Sequence, residues 1–295
     1  MGIVERAVHD TTCKPVPLRQ REPRWGASTA DGLMGVALLA GPANVVMQLG
    51  RPGVAYGVIE SRVESGRIDR HPVKRARTTF TYLAVAGRGS DEQKAAFRRA
   101  VNKAHAQVHS TEESPVKYNA FDKDLQLWVA ACLYKGSVDV RRIFVGEIDD
   151  ETADEHYRNG IALATTLQVT PDMWPADRAT FDKYWEEQLE HIHIDDTARE
   201  FLYPIAVGRL RGVRLGPLQS VAEDWAGLIT TGFLPQRFRD EMRLPWDPQR
   251  QRRFDRLMGA LRVVNNVMPP PLRQFPFNVL LKDLDWRIRT GLPLV

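Results

Sequence analysis

SDEQKAAFRRAVNKAHAQVHS, residues 90–110, carries the pattern that decides the fold class of this chain. Ser90 is followed three residues later by Gln93. This is the sequence form of a capping box, in which a hydroxyl and an amide satisfy backbone N–H groups left open at a helix start. Phe97, Val101, Ala104, His105 and Val108 then recur at three- and four-residue spacing. That spacing predicts a helix from Ser90 to Ser110 with these side chains on one face. Arg98, Arg99 and Lys103 fall elsewhere and stay in water. His105 is the residue out of place, because an imidazole buried among apolar neighbours is costly without a partner. It is either a core histidine with a hydrogen bond or a ligand to a metal or haem iron.

The same period extends in both directions. Asp69 to Ala86 predicts a helix with Pro72 in its first turn, ended by Gly87 and Gly89. Its Arg75, Thr78, Thr79 and Tyr82 share a polar face beside an apolar stripe of Ala76, Phe80, Leu83 and Ala84. Upstream, residues 33–63 are apolar and broken at Gly41-Pro42 and again at Arg51-Pro52. The small residues there, from Gly35 to Gly57, suit either tight helix packing or the approach of a flat ligand. Downstream of the loop STEESPVKYNAF, Asp122 caps a helix with Leu125, Trp128, Val129 and Cys132 on its stripe. Further helical patterns cover Ile148–Leu167, Phe181–Ile192, Ala198–Val207, Leu218–Leu228 and Arg250–Val267. The last carries Phe254, Leu257, Leu261 and Val264 inward and is stopped by Pro269-Pro270-Pro271. No alternating runs compete, so the class is all-α. Residues 1–30 read as an N-terminal arm, 31–275 as a helical body, and 276–295 as a C-terminal extension packed on it.

Composition narrows the function. Hydrophobic residues make up 43% of the 295, enough for a sizeable core. The net charge is +4 from 41 basic and 37 acidic residues, and the charges are interleaved, which speaks against nucleic acid as a partner. Cys13 and Cys132 form no disulfide framework, and Cys132 sits in an apolar helix as a small core residue. No secretory pattern and no unbroken apolar run of about 18 residues appears. A cytoplasmic protein is expected, with contact to a membrane surface left open. Dinucleotide, P-loop and nucleophile-elbow motifs are absent. His105 and His109 stand four apart but lack the glutamate of the metalloprotease pattern. His191 and His193 are two apart, beside Asp195 and Asp196. His71 reads as a loop residue and His156 as an exposed helical one.

Several phrases together resemble the oxygenase family of the fungal MpaB enzymes and the bacterial rubber oxygenases, or latex-clearing proteins. They are GPANVVMQLGRPGVAYGV, RHPVKRARTTFTYLAV, NKAHAQV, YNAFDKDLQLWVAACL, LATTLQVTPDMWPADRATFDKYWEE and GFLPQRFRDEMRLPWDPQRQRRFDRLMGAL. They follow one another in order, and the resemblance covers roughly Leu33 to Arg273.

The resemblance implies an all-α fold with a globin-like core and an oxidoreductase that activates dioxygen. As in the rubber oxygenases, it also implies a haem b held by a proximal histidine, which here matches His105. The family's distal Arg-x-x-Lys-Thr pattern falls on Arg75, Thr78 and Thr79. Thr78 stands where the rubber enzymes carry lysine, so the distal position is expected to be open or water-bound, and polyisoprene is not the expected substrate. The family's glutamate base corresponds by spacing to Glu60 or Glu64. The expected partners are dioxygen and an apolar, isoprenoid or lipid-like molecule. Two alternatives stand beside this reading. One is a non-haem iron site using His105 with His109 or the His191/His193 pair. The other is a cofactor-less helical protein that binds lipid or acts as a scaffold.

Overall fold

A computed structural model describes residues 33–63, 71–209 and 216–295. The N-terminal arm and Glu64 lie outside the described residues. The chain is all-α, and no strand is present among the described residues.

After a 3-10 turn at Gly35–Ala40 come α1 (Gly41–Leu49) and α2 (Pro52–Ile59), so both proline breaks are used. Then follow α3 (Pro72–Arg88), α4 (Asp91–His105) and the long α5 (Lys123–Phe144). α6 (Asp150–Gly160) and the short α7 (Ala162–Thr165) divide the segment expected as one helix. α8 (Arg178–Leu189), α9 (Asp196–Ala206), α10 (Gln219–Phe233), α11 (Gln236–Glu241) and α12 (Pro248–Val267) complete the central body. α13 (Pro270–Arg273) and α14 (Phe277–Thr290) close the chain.

Aspartates start many of these helices. Asp122, Asp149, Asp177, Asp195 and Asp247 each accept backbone N–H bonds from their own first turn. Those donors hold the carboxyls of Asp149, Asp177 and Asp247 below the usual range, because they stabilise the ionised form.

The core lies where α1, α5 and α8 meet. Trp128 is fully buried and stacks on Trp185 with ring centroids 5.2 Å apart. Its indole N–H donates to the Gln48 carbonyl at 3.1 Å, so the polar edge is not stranded. Phe181, Tyr134, Tyr157 and Trp174 extend this aromatic cluster. The Cys132 thiol is buried and its pKa is pushed up by desolvation, as suits an inert core residue.

Three expectations are corrected. α4 ends at His105, not Ser110. Beyond it, the backbone of 108–120 pairs with itself, through Ala120 N–H to Val108 O and Ser110 N–H to Tyr118 O, both 2.9 Å. That exchange satisfies the loop's polar groups better than a frayed helix end would.

Val264 faces outward. The inward stripe of α12 runs through Phe254, Met258 and Asn265, whose amide meets the Met34 sulfur at 3.7 Å.

His156 is half-buried, not exposed. Ser137 gives its one proton to the Tyr134 carbonyl at 2.7 Å, so its oxygen accepts from the His156 Nε2–H at 3.0 Å.

The stretch after the triproline, expected as an extension packed on the body, is a helix. α14 packs on α3 and α4 through a Phe277–Phe80 edge contact, an Arg77–Asp283 ion pair at 3.2 Å and the buried Leu284 beside Val85 and Phe97.

Candidate functional site

α3 and α4 form an antiparallel hairpin about the Gly89–Ser90 turn. Ser90 accepts from Gln93 N–H at 3.2 Å and its own N–H donates to Gln93 Oε1 at 2.8 Å, so the capping box read in the sequence is present. Tyr82 and Phe97, about equally far from the turn, meet with ring centroids 6.2 Å apart. Arg75 and His105 are also nearly equidistant from it, at the open end. Two residues thirty positions apart in sequence are therefore neighbours because the helices have matching length.

His105 is the last residue of α4 and half-buried. Its Nδ1 is buried and finds no hydrogen-bond partner among the described residues. Its ring meets Phe121 edge-on at 6.2 Å. Desolvation first, and the Arg75 charge second, push its pKa down to about 4. A helix C-terminus ordinarily favours a cationic imidazole, so burial and Arg75 outweigh the dipole here. At neutral pH the ring is uncharged and carries a free lone pair.

Arg75 is half-buried, desolvation lowers its pKa, and its guanidinium pairs with none of the described residues. A partly desolvated cation without an anion is available to a polar or anionic partner. Thr78 and Thr79, half-buried, donate their hydroxyls to the carbonyls of Lys74 and Arg75, each at 3.1 Å. Their lone pairs remain available, but their protons are committed to the helix. Glu60 caps the end of α2 and is exposed, with its Oε2 accepting from Ser114 at 2.6 Å and Tyr118 at 2.7 Å. It is thus tied to the loop whose Phe121 meets His105.

The family described as "ER-bound oxygenase mpaB/B'/Rubber oxygenase, catalytic domain" matches residues 30–263. The chain belongs to this mpaB/rubber oxygenase family. It is also similar to two mycobacterial proteins, the uncharacterized protein Mb2261 of Mycobacterium bovis and the uncharacterized protein Rv2237 of Mycobacterium tuberculosis. Each is 47% identical over 259 residues, covering 88% of this chain and all of the relative. No solved structure is a significant match.

In this member of the mpaB/rubber oxygenase family the small residues of α1 and α2 are already filled by the chain itself. A methyl built on Gly53 would lie 3.0 Å from a Leu125 methyl, and one on Gly57 3.4 Å from the Tyr118 ring and 3.6 Å from Val108. Gly50 faces Phe238 and Ile192. Close helix packing, not a seat for a macrocycle, explains them. Gly57→Ala should therefore raise stability by about 0.5–1 kcal/mol, the helix-interior advantage of alanine, without disturbing any ligand. Thermal unfolding checks this, and a loss of ligand binding would contradict it.

A ladder of side-chain amides was not legible in the sequence. Gln168 donates to Asn102 Oδ1 at 2.5 Å, one turn before His105 on α4. Gln126 donates to Gln168 Oε1 at 2.6 Å and to the Ala120 carbonyl at 2.7 Å. The ladder fixes the end of α4 and the 108–121 loop to the start of α5. Two glutamines and an asparagine on three segments give no sequence pattern, because the bonds that join them span 42 and 66 residues of chain.

The histidines proposed as a non-haem set are not brought together. His109 lies outside α4 and is exposed, as are His191 and His193. Among the described residues no group of three His, Cys, Asp or Glu side chains is placed to hold a metal ion.

Proposed function

We propose that this chain is a haem b-dependent oxygenase, an oxidoreductase that uses dioxygen to oxidise or cleave an apolar, isoprenoid or lipid-like molecule. Residues 31–275 form its catalytic body. One observation carries the reading: the buried Nδ1 of a neutral His105, without a partner among the described residues, set beside a half-buried Arg75 that pairs with no described residue. Core histidines and arginines are normally satisfied, so a facing pair left open suits a site completed by another molecule.

The donor set fits a b-type haem. His105 would hold the iron through an imidazole nitrogen, and a single histidine without a cluster of carboxylates is the arrangement expected of a porphyrin's proximal ligand. Bound there, haem supplies the binding and activation of dioxygen. The chain supplies the rest. Arg75 orients and stabilises a polar or anionic oxygen group by its undischarged guanidinium. Thr79, one turn further along α3, offers a hydroxyl lone pair beside it. Thr78 brings only a neutral hydroxyl where the rubber enzymes place an amine, so it does not compete for a metal. Glu60, its carboxylate positioned by Ser114 and Tyr118, is the group to accept a proton.

Titrating the purified full-length protein with haemin tests this. A Soret band saturating at about one haem per chain is the expected result. A protein that stays colourless after reconstitution sinks the proposal.

A further inference from the structure

We propose that the outer face of α12–α14 is a docking surface for an anionic membrane. Beyond the first two residues of α12, the exposed positions are Arg252, Arg256, Ala260, Val263, Val264 and Val267. They follow one side of the helix. The exposed side of α14 reads Val279, Lys282, Trp286 and Arg289. Between them stand Leu272, 63% exposed, and Phe275, 57% exposed. Val267 is 64% exposed and Trp286 50%. Large apolar side chains in sequence this close, all turned to solvent, are unusual for a surface that meets only water.

The charges identify the partner. From Pro248 to Thr290 every exposed charged residue is cationic. The carboxylates of this stretch are turned away and engaged. Asp255 accepts from Gln251, Asp283 from Arg77 and Arg287, and Asp285 from Gln93. Exposed valine, leucine, phenylalanine and tryptophan interleaved with arginine and lysine match an anionic bilayer, with side chains entering the interface and cations meeting lipid phosphates. A second copy of the same basic face would repel this one. Residues 1–32 carry five Lys/Arg against four Asp/Glu and offer no compensating charge. No described helix is long and apolar enough to cross a membrane, so the contact is with the surface.

Co-sedimentation of the full-length protein with vesicles tests this. Vesicles of phosphatidylcholine with phosphatidylglycerol should bind it, and vesicles of phosphatidylcholine alone should bind it far less. Salt should weaken the binding. Val267→Asp with Leu272→Asp should lower affinity at least tenfold. Lys282→Ala and Arg289→Ala should each lower it roughly fivefold. Both pairs lie on the surface, and unchanged thermal unfolding separates lost docking from lost fold. Equal binding to neutral vesicles, or binding indifferent to these substitutions, overturns the proposal. A monomer that ignores both vesicle types also overturns it, since residues 1–32 or another part of the chain then cover the face. So does a dimer that Val267→Asp dissociates. None of these readouts depends on haem.

Discussion

Replacing His105 with leucine is expected to abolish the haem absorbance while leaving the fold intact or slightly more stable. The two halves of this result rest on different physics. On the proposed reading the His105 imidazole is the haem's ligand, so its loss removes the proximal bond. For stability the sign is the reverse of an ordinary core mutation. A buried Nδ1 without a partner costs about 1–3 kcal/mol, and an apolar side chain of similar size relieves it. Leucine is also the better helix former at the end of α4. A histidine serving only as a satisfied core residue would behave oppositely, losing stability on substitution with no spectral change. Absorbance and urea unfolding on the same preparation decide between them. Retention of a full Soret band in His105→Leu would refute the assignment.

Acidification from pH 6.5 to 4 is expected to destabilise the protein by several kcal/mol, before the capping aspartates titrate. His105 and His156 both have folded-state pKa values pushed down to about 4 from 6.5. Desolvation is the larger cause in each, followed by a nearby arginine, Arg75 for His105 and Arg141 for His156. In this window the unfolded chain binds protons that the folded chain does not, so stability rises with pH. It is fully present above 6.5 and is lost as the pH falls towards 4. The shifts are each worth on the order of 3 kcal/mol at most. Asp149, Asp177 and Asp247 start from 3.8 and are shifted lower, so their contribution disappears only below the histidine window. Denaturant midpoints at a series of pH values measure the effect, and His105→Leu should remove about half of the slope. A flat profile between pH 6.5 and 4 would show that the two rings are not held neutral. The same depression keeps protons from competing for the imidazole until the pH approaches 4, so haem binding should persist well below neutrality.

Much of the fold was legible because it is written in local signals. The Ser90–Gln93 box, the aspartate caps and the proline breaks fix helix starts and ends within a few residues of chain. The apolar period fixes which side turns inward. Where it misled, a non-local contact had taken over. Asn265, buried against Met34, takes the inward position beside an exposed Val264, and backbone pairing of the 108–120 loop follows the end of α4 at His105. The glycines of α1 and α2 could be read two ways in sequence, and only the side chains of Tyr118, Leu125 and Phe238 show which applies.

By itself the sequence determined an all-α chain of the mpaB/rubber oxygenase family, with His105 on an inward helix face and Arg75 on a neighbouring one. It could do so because periodicity, capping and the family phrases are all properties of short segments. Tertiary structure alone decided that Arg75 and His105 stand together, that the imidazole Nδ1 has no partner among the described residues, and that the glycine-lined helices are packed shut. It also turned the apolar and basic side chains of α12–α14 to the outside. Burial and charge proximity are properties of the space between elements, and no spacing along the chain encodes them.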